Sequence, residues 1–158
     1  MASGLVETAE GLLLVQNRRR DGRLDWSPPG GVVEVADGES VVDGLTREVE
    51  EETGLVVTEW EGPLWEVEAE AEGMGWRLRV EVHRAVAFTG DLRVDDPDGI
   101  VVDARFVAGE ACAAQLMDTW LPTHEPLAAW LAERFTEPRA YRYRVEGADR
   151  ASMVVVRL

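Results

Sequence analysis

Residues 40–55, SVVDGLTREVEEETGL, carry their own start and stop signals. Ser40 suits a helix N-cap, because its side-chain oxygen can take a free amide of the first turn. Asp43, three residues on, completes a capping-box pattern. Gly54 suits the left-handed residue that ends a helix. Between them, at about 100° per residue, Val41, Val42, Leu45 and Val49 form one apolar stripe. A helix bounded this tightly must bury that stripe against another element, and the flanking sequence is β-prone. Gly4–Thr8 and Gly11–Arg18 predict two strands joined in a hairpin at Ala9–Gly11. The segment 19–31 reads as a turn-rich loop ending in two prolines and two glycines. Apolar and polar residues alternate through the second half of 55–71 and again through 75–88, which predicts long strands. An acidic loop (89–100), a strand (101–107), short helices (110–117 and 125–135) and a hairpin over 139–158 complete the pattern. This is an α/β (α+β) chain with a mixed sheet sandwiched between helices.

The stripe is not clean. Glu48 and Glu52, four apart, share a helix face, and that face overlaps the apolar stripe. Glu51 lies to one side of Glu48, and only Glu50 points fully outward. Like charges at this spacing repel, and partial burial raises the cost. Two explanations fit. Either the helix is a solvated acidic one with its register turned, or a cation compensates the carboxylates. The chain has no lysine, since all 16 cations are arginine, and on the wheel Arg47 points away from this face. A divalent metal ion, which takes hard oxygen ligands, fills that role.

Composition narrows the alternatives. With 158 residues and 46% hydrophobic content, the chain suits a single domain over 1–158. No apolar run approaches the ~18 residues of a membrane span, and the N-terminus lacks signal-peptide features, so a cytoplasmic protein is expected. The single Cys112 excludes an internal disulfide and a cysteine-based zinc cluster, and its alanine-rich surroundings suggest a small buried hydrophobe. The absence of lysine excludes Schiff-base chemistry and a P-loop. A net charge of −15 repels nucleic-acid polymers. His83 and His124 have no partner visible in the sequence.

Arg47-Glu48-Val49-Glu50-Glu51-Glu52-Thr53-Gly54-Leu55 matches the second half of the Nudix box at every fixed position. Glu39 stands eight residues before Arg47, as the box requires. Pro29-Gly30-Gly31 and Glu34 resemble its first half, and the chain resembles the Nudix family's common core. One departure is clear: the seven residues Val32–Gly38 separate Gly31 from Glu39, two more than is usual in the family. The resemblance implies a Mg²⁺- or Mn²⁺-dependent hydrolase of a nucleoside diphosphate linked to another group. It implies Glu48, Glu51, Glu52 and the Gly31 carbonyl as metal ligands, and Glu39 with Arg47 as an orienting pair. It further implies a proton-accepting carboxylate, for which Glu51, Glu52 and loop residue Asp98 are candidates; Asp96 and Asp103 are the other available acids of that region, and the stretch around Asp98 also reads as a plain turn.

Substrate is less constrained. ADP-ribose hydrolases of the family tend to carry a proline downstream of the box where this chain has Ala71, and Pro63 falls too early. The tyrosine of dinucleoside polyphosphate hydrolases is missing, as are the NADH and coenzyme A signatures. This leaves a MutT-like (d)NTP or oxidised dNTP hydrolase ahead. An ADP-ribose or nucleotide-sugar pyrophosphatase and a non-catalytic nucleotide sensor are the alternatives. Trp26 could stack a base, with Trp60, Trp65 and Trp76 as further candidates, although core packing is the better reading for each. Arg18, in the Arg18–Arg20 cluster, and Arg77 and Arg79 could take phosphate. The expected partner is a small nucleotide, with no nucleic-acid polymer and no membrane, for a monomer or homodimer.

Overall fold

The computed structural model describes residues 1–158. Ten strands and three α-helices follow one another as β1 (Ala2–Leu5), β2 (Glu7–Thr8), β3 (Gly11–Arg18), β4 (Leu24–Ser27), β5 (Gly30–Gly31), α1 (Val41–Thr53), β6 (Val56–Ala71), β7 (Trp76–Thr89), β8 (Val101–Val107), α2 (Gly109–Gln115), α3 (Leu121–Glu133), β9 (Arg139–Glu146) and β10 (Val154–Arg157). The larger sheet runs β10-β9-β6-β7-β1-β5, and the smaller is built on β3 with β2, β4 and β8 as neighbours. Pairing is mixed. β1 with β7 and β6 with β9 are parallel, and the other pairs are antiparallel. No helix is long and apolar enough to cross a membrane.

Two apolar clusters hold the layers together. Leu45 and Val49 of α1 are fully buried against Val6, Leu13, Val15, Val57 and Ala85. Each such burial is worth roughly 1.5–3 kcal/mol relative to exposure. The second cluster joins Trp65, Val67, Tyr141 and Tyr143 of the larger sheet to Leu12, Leu14, Cys112, Leu116, Leu127 and Trp130 beneath α2 and α3. Trp60 fixes α1 to the sheet from the side. Its Nε1 donates to Thr46 Oγ1 at 2.9 Å, and its ring fills the space that a side chain at Gly4 would occupy.

Three expectations are corrected. The hairpin expected from residues 4–18 survives only as Glu7–Thr8 on Leu12 and Gly11, whereas Ala2–Leu5 runs parallel to Glu81–Arg84 in the other sheet. Alternation identifies a strand but not its partner: Leu5 and Val6 are both fully buried, one in each apolar cluster, as the chain crosses between sheets. The segment 19–31 contains two short strands, because Leu24–Ser27 zips onto Val15–Arg18 and Gly30–Gly31 onto Ala2–Ser3. Helix α3 begins at Leu121 rather than after His124, since Pro122 suits the first helical turn.

Candidate active site

The box helix is built as its caps dictate. Ser40 Oγ accepts from Asp43 N–H at 3.1 Å, and Gly54 closes the helix with φ 76°. The strand β5 that precedes it is pressed against β1 so closely that a Cβ at Gly30, whose φ is 151°, would collide with the Ala2 carbonyl. That contact holds the Gly30–Gly31 backbone directly over α1.

On this frame the carboxylates meet the glycines. Gly30 N–H donates to Glu52 Oε2 at 2.9 Å. A side chain at Gly31 would overlap the Glu48 carboxylate, so the head of Glu48 rests against the Gly31 backbone. Arg47 ties the arrangement together. Its Nε and Nη2 donate to the two oxygens of Glu39 at 2.9 and 3.2 Å, and Nη2 also reaches the Val32 carbonyl at 3.1 Å. Glu39 in turn accepts from Glu34 N–H at 2.8 Å, so one carboxylate fixes both helix and loop. The two extra loop residues are absorbed in an exposed 3₁₀ turn at Val35–Asp37.

The expectation that Arg47 points away from the carboxylates is overturned. Its Nη1 donates to Glu48 Oε1 at 2.9 Å and to Glu51 Oε2 at 3.3 Å. The wheel places a Cβ, whereas an arginine is long enough to swing its guanidinium back over the next turn. In this arrangement no three His, Cys, Asp or Glu side chains stand grouped as metal ligands, and Arg47 engages both Glu48 and Glu51.

Charge is nevertheless undercompensated. Glu52 is 8% exposed, and burial, followed by the repulsion of Glu48, Asp96 and Glu51, pushes its pKa up to about 8 despite the Gly30 N–H. Burial also raises Glu48, with Glu51 and Asp98 adding to the shift and Arg47 opposing it. Arg47 and the Glu34 amide hold Glu39 below its usual value. A half-buried set of hard oxygen donors, one of them without a cationic partner, fits a hard divalent cation. Glu48, Glu51, Glu52 and the Gly31 carbonyl are the residues that would hold it.

Asp98 is exposed on the loop before β8, close enough to act on Glu48. Asp96 is committed to the turn itself, accepting from the amides of Asp98, Ile100 and Val101, and Asp103 pairs with Arg105.

Gly30 is also part of the wall of a cavity of about 260 Å³ that runs between the sheets to α3. Of the residues expected to bind substrate, Trp65 and Arg19 are on that wall, whereas Trp26, Arg18, Arg77 and Arg79 are not. Trp26 turns to the opposite face of its strand, 8% exposed in the core with Arg105 over its ring. Of the Arg18–Arg20 cluster, Arg19 lines the cavity, and it is clamped on Asp25. Arg77 and Arg79 project from the sheet face opposite Leu78 and Val80 and pair with Glu70 and Glu66. The polar residues that do line it, among them Asn17 and Ser27, escaped notice. Strand parity alone, with Trp26 facing the core, would have placed Ser27 on the cavity side.

Comparison with known proteins accords with this geometry. The family model described as the NUDIX domain matches residues 2–137. Among solved structures, the mutator MutT protein from Bacillus halodurans is similar at TM-score 0.65 and 19% identity, covering 99% of this chain and 95% of that one. An ADP-ribose pyrophosphatase from Streptococcus suis gives 0.56 and 25%, covering 88% and 96%. An Ap4A hydrolase from C. elegans gives 0.54 and 15%, covering 83% and 96%. No curated protein matches the chain in sequence. A matched domain spanning most of the chain, with the box residues gathered over Gly30–Gly31, places this protein in the NUDIX domain family as a Nudix-type pyrophosphohydrolase.

Proposed function

We propose that the protein is a Mg²⁺-dependent hydrolase, with Mn²⁺ as a substitute, that cleaves the pyrophosphate linkage of a nucleoside triphosphate or its oxidised deoxy form. The observation that carries this reading is the shared wall. Gly30 donates to the buried Glu52 on one side and borders a largely apolar cavity on the other. A phosphate chain at the carboxylates would then leave its nucleoside in the cavity.

Glu48, Glu51 and Glu52 would hold a divalent cation, which would supply charge neutralisation of the diphosphate and a water of lowered pKa. The chain's own residues do the rest. Arg47 and Glu39 lock loop to helix, so that the ligand carboxylates face the Gly30–Gly31 backbone. Glu51, Glu52 and Asp98 are the carboxylates available to accept the water's proton. The apolar walls of the cavity exclude competing water around the nucleoside.

One observation favours a second reading, nucleotide binding without turnover: Arg47 already engages Glu48 and Glu51. A single assay separates the two. With Mg²⁺, the (d)NTPs, 8-oxo-dGTP, ADP-ribose, nucleotide sugars and dinucleoside polyphosphates are offered, and products are resolved. Pyrophosphate and a monophosphate from a triphosphate, lost in Glu52→Gln, is the expected result. Turnover of ADP-ribose or a nucleotide sugar alone would move the substrate class. Tight binding with no turnover would replace hydrolysis by sensing.

A further inference from the structure

Asn17, at the end of β3, is the only asparagine in the chain. It is 6% exposed, and it lines the cavity beside Gly30. Both protons of its amide are spent inside the protein, one on Asp25 Oδ1 at 3.1 Å and one on Ser27 Oγ at 2.9 Å. Asp25 can only accept, so the amide cannot be turned round. Asp25 is itself held by Arg19, whose Nε and Nη2 donate to its two oxygens at 2.6 and 2.8 Å. The chain Arg19, Asp25, Asn17 therefore orients one atom, Asn17 Oδ1, which accepts no hydrogen bond within the protein. The one side-chain N or O atom sealed from solvent without a partner is Trp120 Nε1. Asn17 Oδ1 is thus not sealed, and its residue lines the cavity.

The rest of that wall says what belongs there. None of its residues is acidic, although the chain carries 31 acidic side chains, and its one cationic side chain, Arg19, is paired with Asp25. Trp65, Leu78, Val80 and Trp120 supply apolar and aromatic surface. At about 260 Å³ the space is just below the usual range of ligand sites, about 300–1,000 Å³. It suits an uncharged nucleoside portion, not a second phosphate-bearing group.

We propose that Asn17 is a specificity-determining residue whose Oδ1 accepts a hydrogen bond from an N–H or O–H of the substrate's nucleoside portion, with Asp25 as its positioning residue. The assignment rests on the nucleotide reading above, but it can fail independently of it. A site built around a fixed acceptor discriminates against a ligand that lacks the matching donor, because the acceptor is then left buried and unpaired.

The test needs neither metal nor turnover. The side-chain amide region of a ¹⁵N-labelled sample contains only Asn17, Gln16 and Gln115. It is titrated with adenosine, guanosine, cytidine and uridine. The preferred nucleoside is then compared with its analogue lacking the exocyclic amine (for uridine, with its N3-methyl form) and with its 2′- and 3′-deoxy forms. The Asn17 pair is expected to move on binding. One deletion, of the base donor or of a sugar hydroxyl, should weaken binding about tenfold in the wild type. That preference should vanish in Asn17→Leu. If this variant does not fold, Asp25→Asn, which lets the amide turn, should show the same loss. Which deletion matters identifies the donor as base or sugar. The proposal is overturned if no nucleoside moves the Asn17 pair, or if no deletion changes affinity. Movement of the pair with no hydrolysis of any nucleotide would retain the contact and remove the catalytic reading.

Discussion

At the scale of single residues, Glu52 concentrates the conflict between burial and charge. Its folded pKa, near 8, lies above the ~4.3 of an unfolded glutamate, so the folded state binds the extra proton. The stability it lends is full below pH ~4.3 and is lost as pH rises towards 8. Metal-free protein is therefore expected to lose stability, of order a few kcal/mol, between pH 5 and 8.5. Glu52→Gln should flatten that slope while lowering kcat by at least ~10²-fold. Urea midpoints across the pH range, with chelator present, check the first expectation; an equally steep slope in Glu52→Gln would assign the loss to other groups. Gly31 makes the complementary case. A methyl there meets the far end of the flexible Glu48 side chain rather than backbone. Gly31→Ala should fold normally yet weaken metal affinity and activity roughly 10–100-fold by displacing Glu48. Calorimetric metal titration beside a thermal melt distinguishes displacement from unfolding.

At the scale of elements, loop and helix form one unit because Arg47 joins Glu39, the Val32 carbonyl, Glu48 and Glu51. A lysine offers one ammonium and cannot reproduce that fork. Arg47→Lys should therefore cut kcat by about 10–100-fold, with little change in helix content by circular dichroism. Retention of full activity would show that the junction is not needed to orient the carboxylates. Ser40→Ala removes the cap on Asp43 N–H and should cost about 1 kcal/mol in urea unfolding with KM unchanged. Ser40 and Gly54 were legible from residue type and offset, and the Glu39–Arg47 pair from the match to the Nudix box. The swing of the Arg47 guanidinium over Glu48 and Glu51 was not, because a helical wheel records where a side chain starts and not where a long one ends.

At the scale of the whole molecule, the family match ends at residue 137, just before the closing pair β9–β10. Tyr141, Tyr143 and Val145 nevertheless lie in the core, and Tyr143 donates to Glu125 of α3 at 2.6 Å with Arg157 of β10 against both. Removing residues 147–158 should lower the melting temperature by several degrees and expose the β9 edge to association. Activity per folded molecule should persist, since no box residue is touched. Light scattering and activity on the truncated chain test this, and loss of activity in the folded monomer would make the hairpin part of the site.

The local pattern by itself determined the helix with its caps, the glycine turn, the acid set and the existence of most strands. Each of these depends on hydrogen-bond offsets and side-chain periods within a few residues. Tertiary structure alone decided which strand each strand would meet, and so on which side of a sheet a residue would face its neighbours. That is why Ala2–Leu5 pairs with β7, why Trp26, Arg77 and Arg79 face away from the cavity, and why Asn17 and Arg19 line it. Pairing across 79 residues is set by the burial of two shared cores, which leaves no local trace in the sequence.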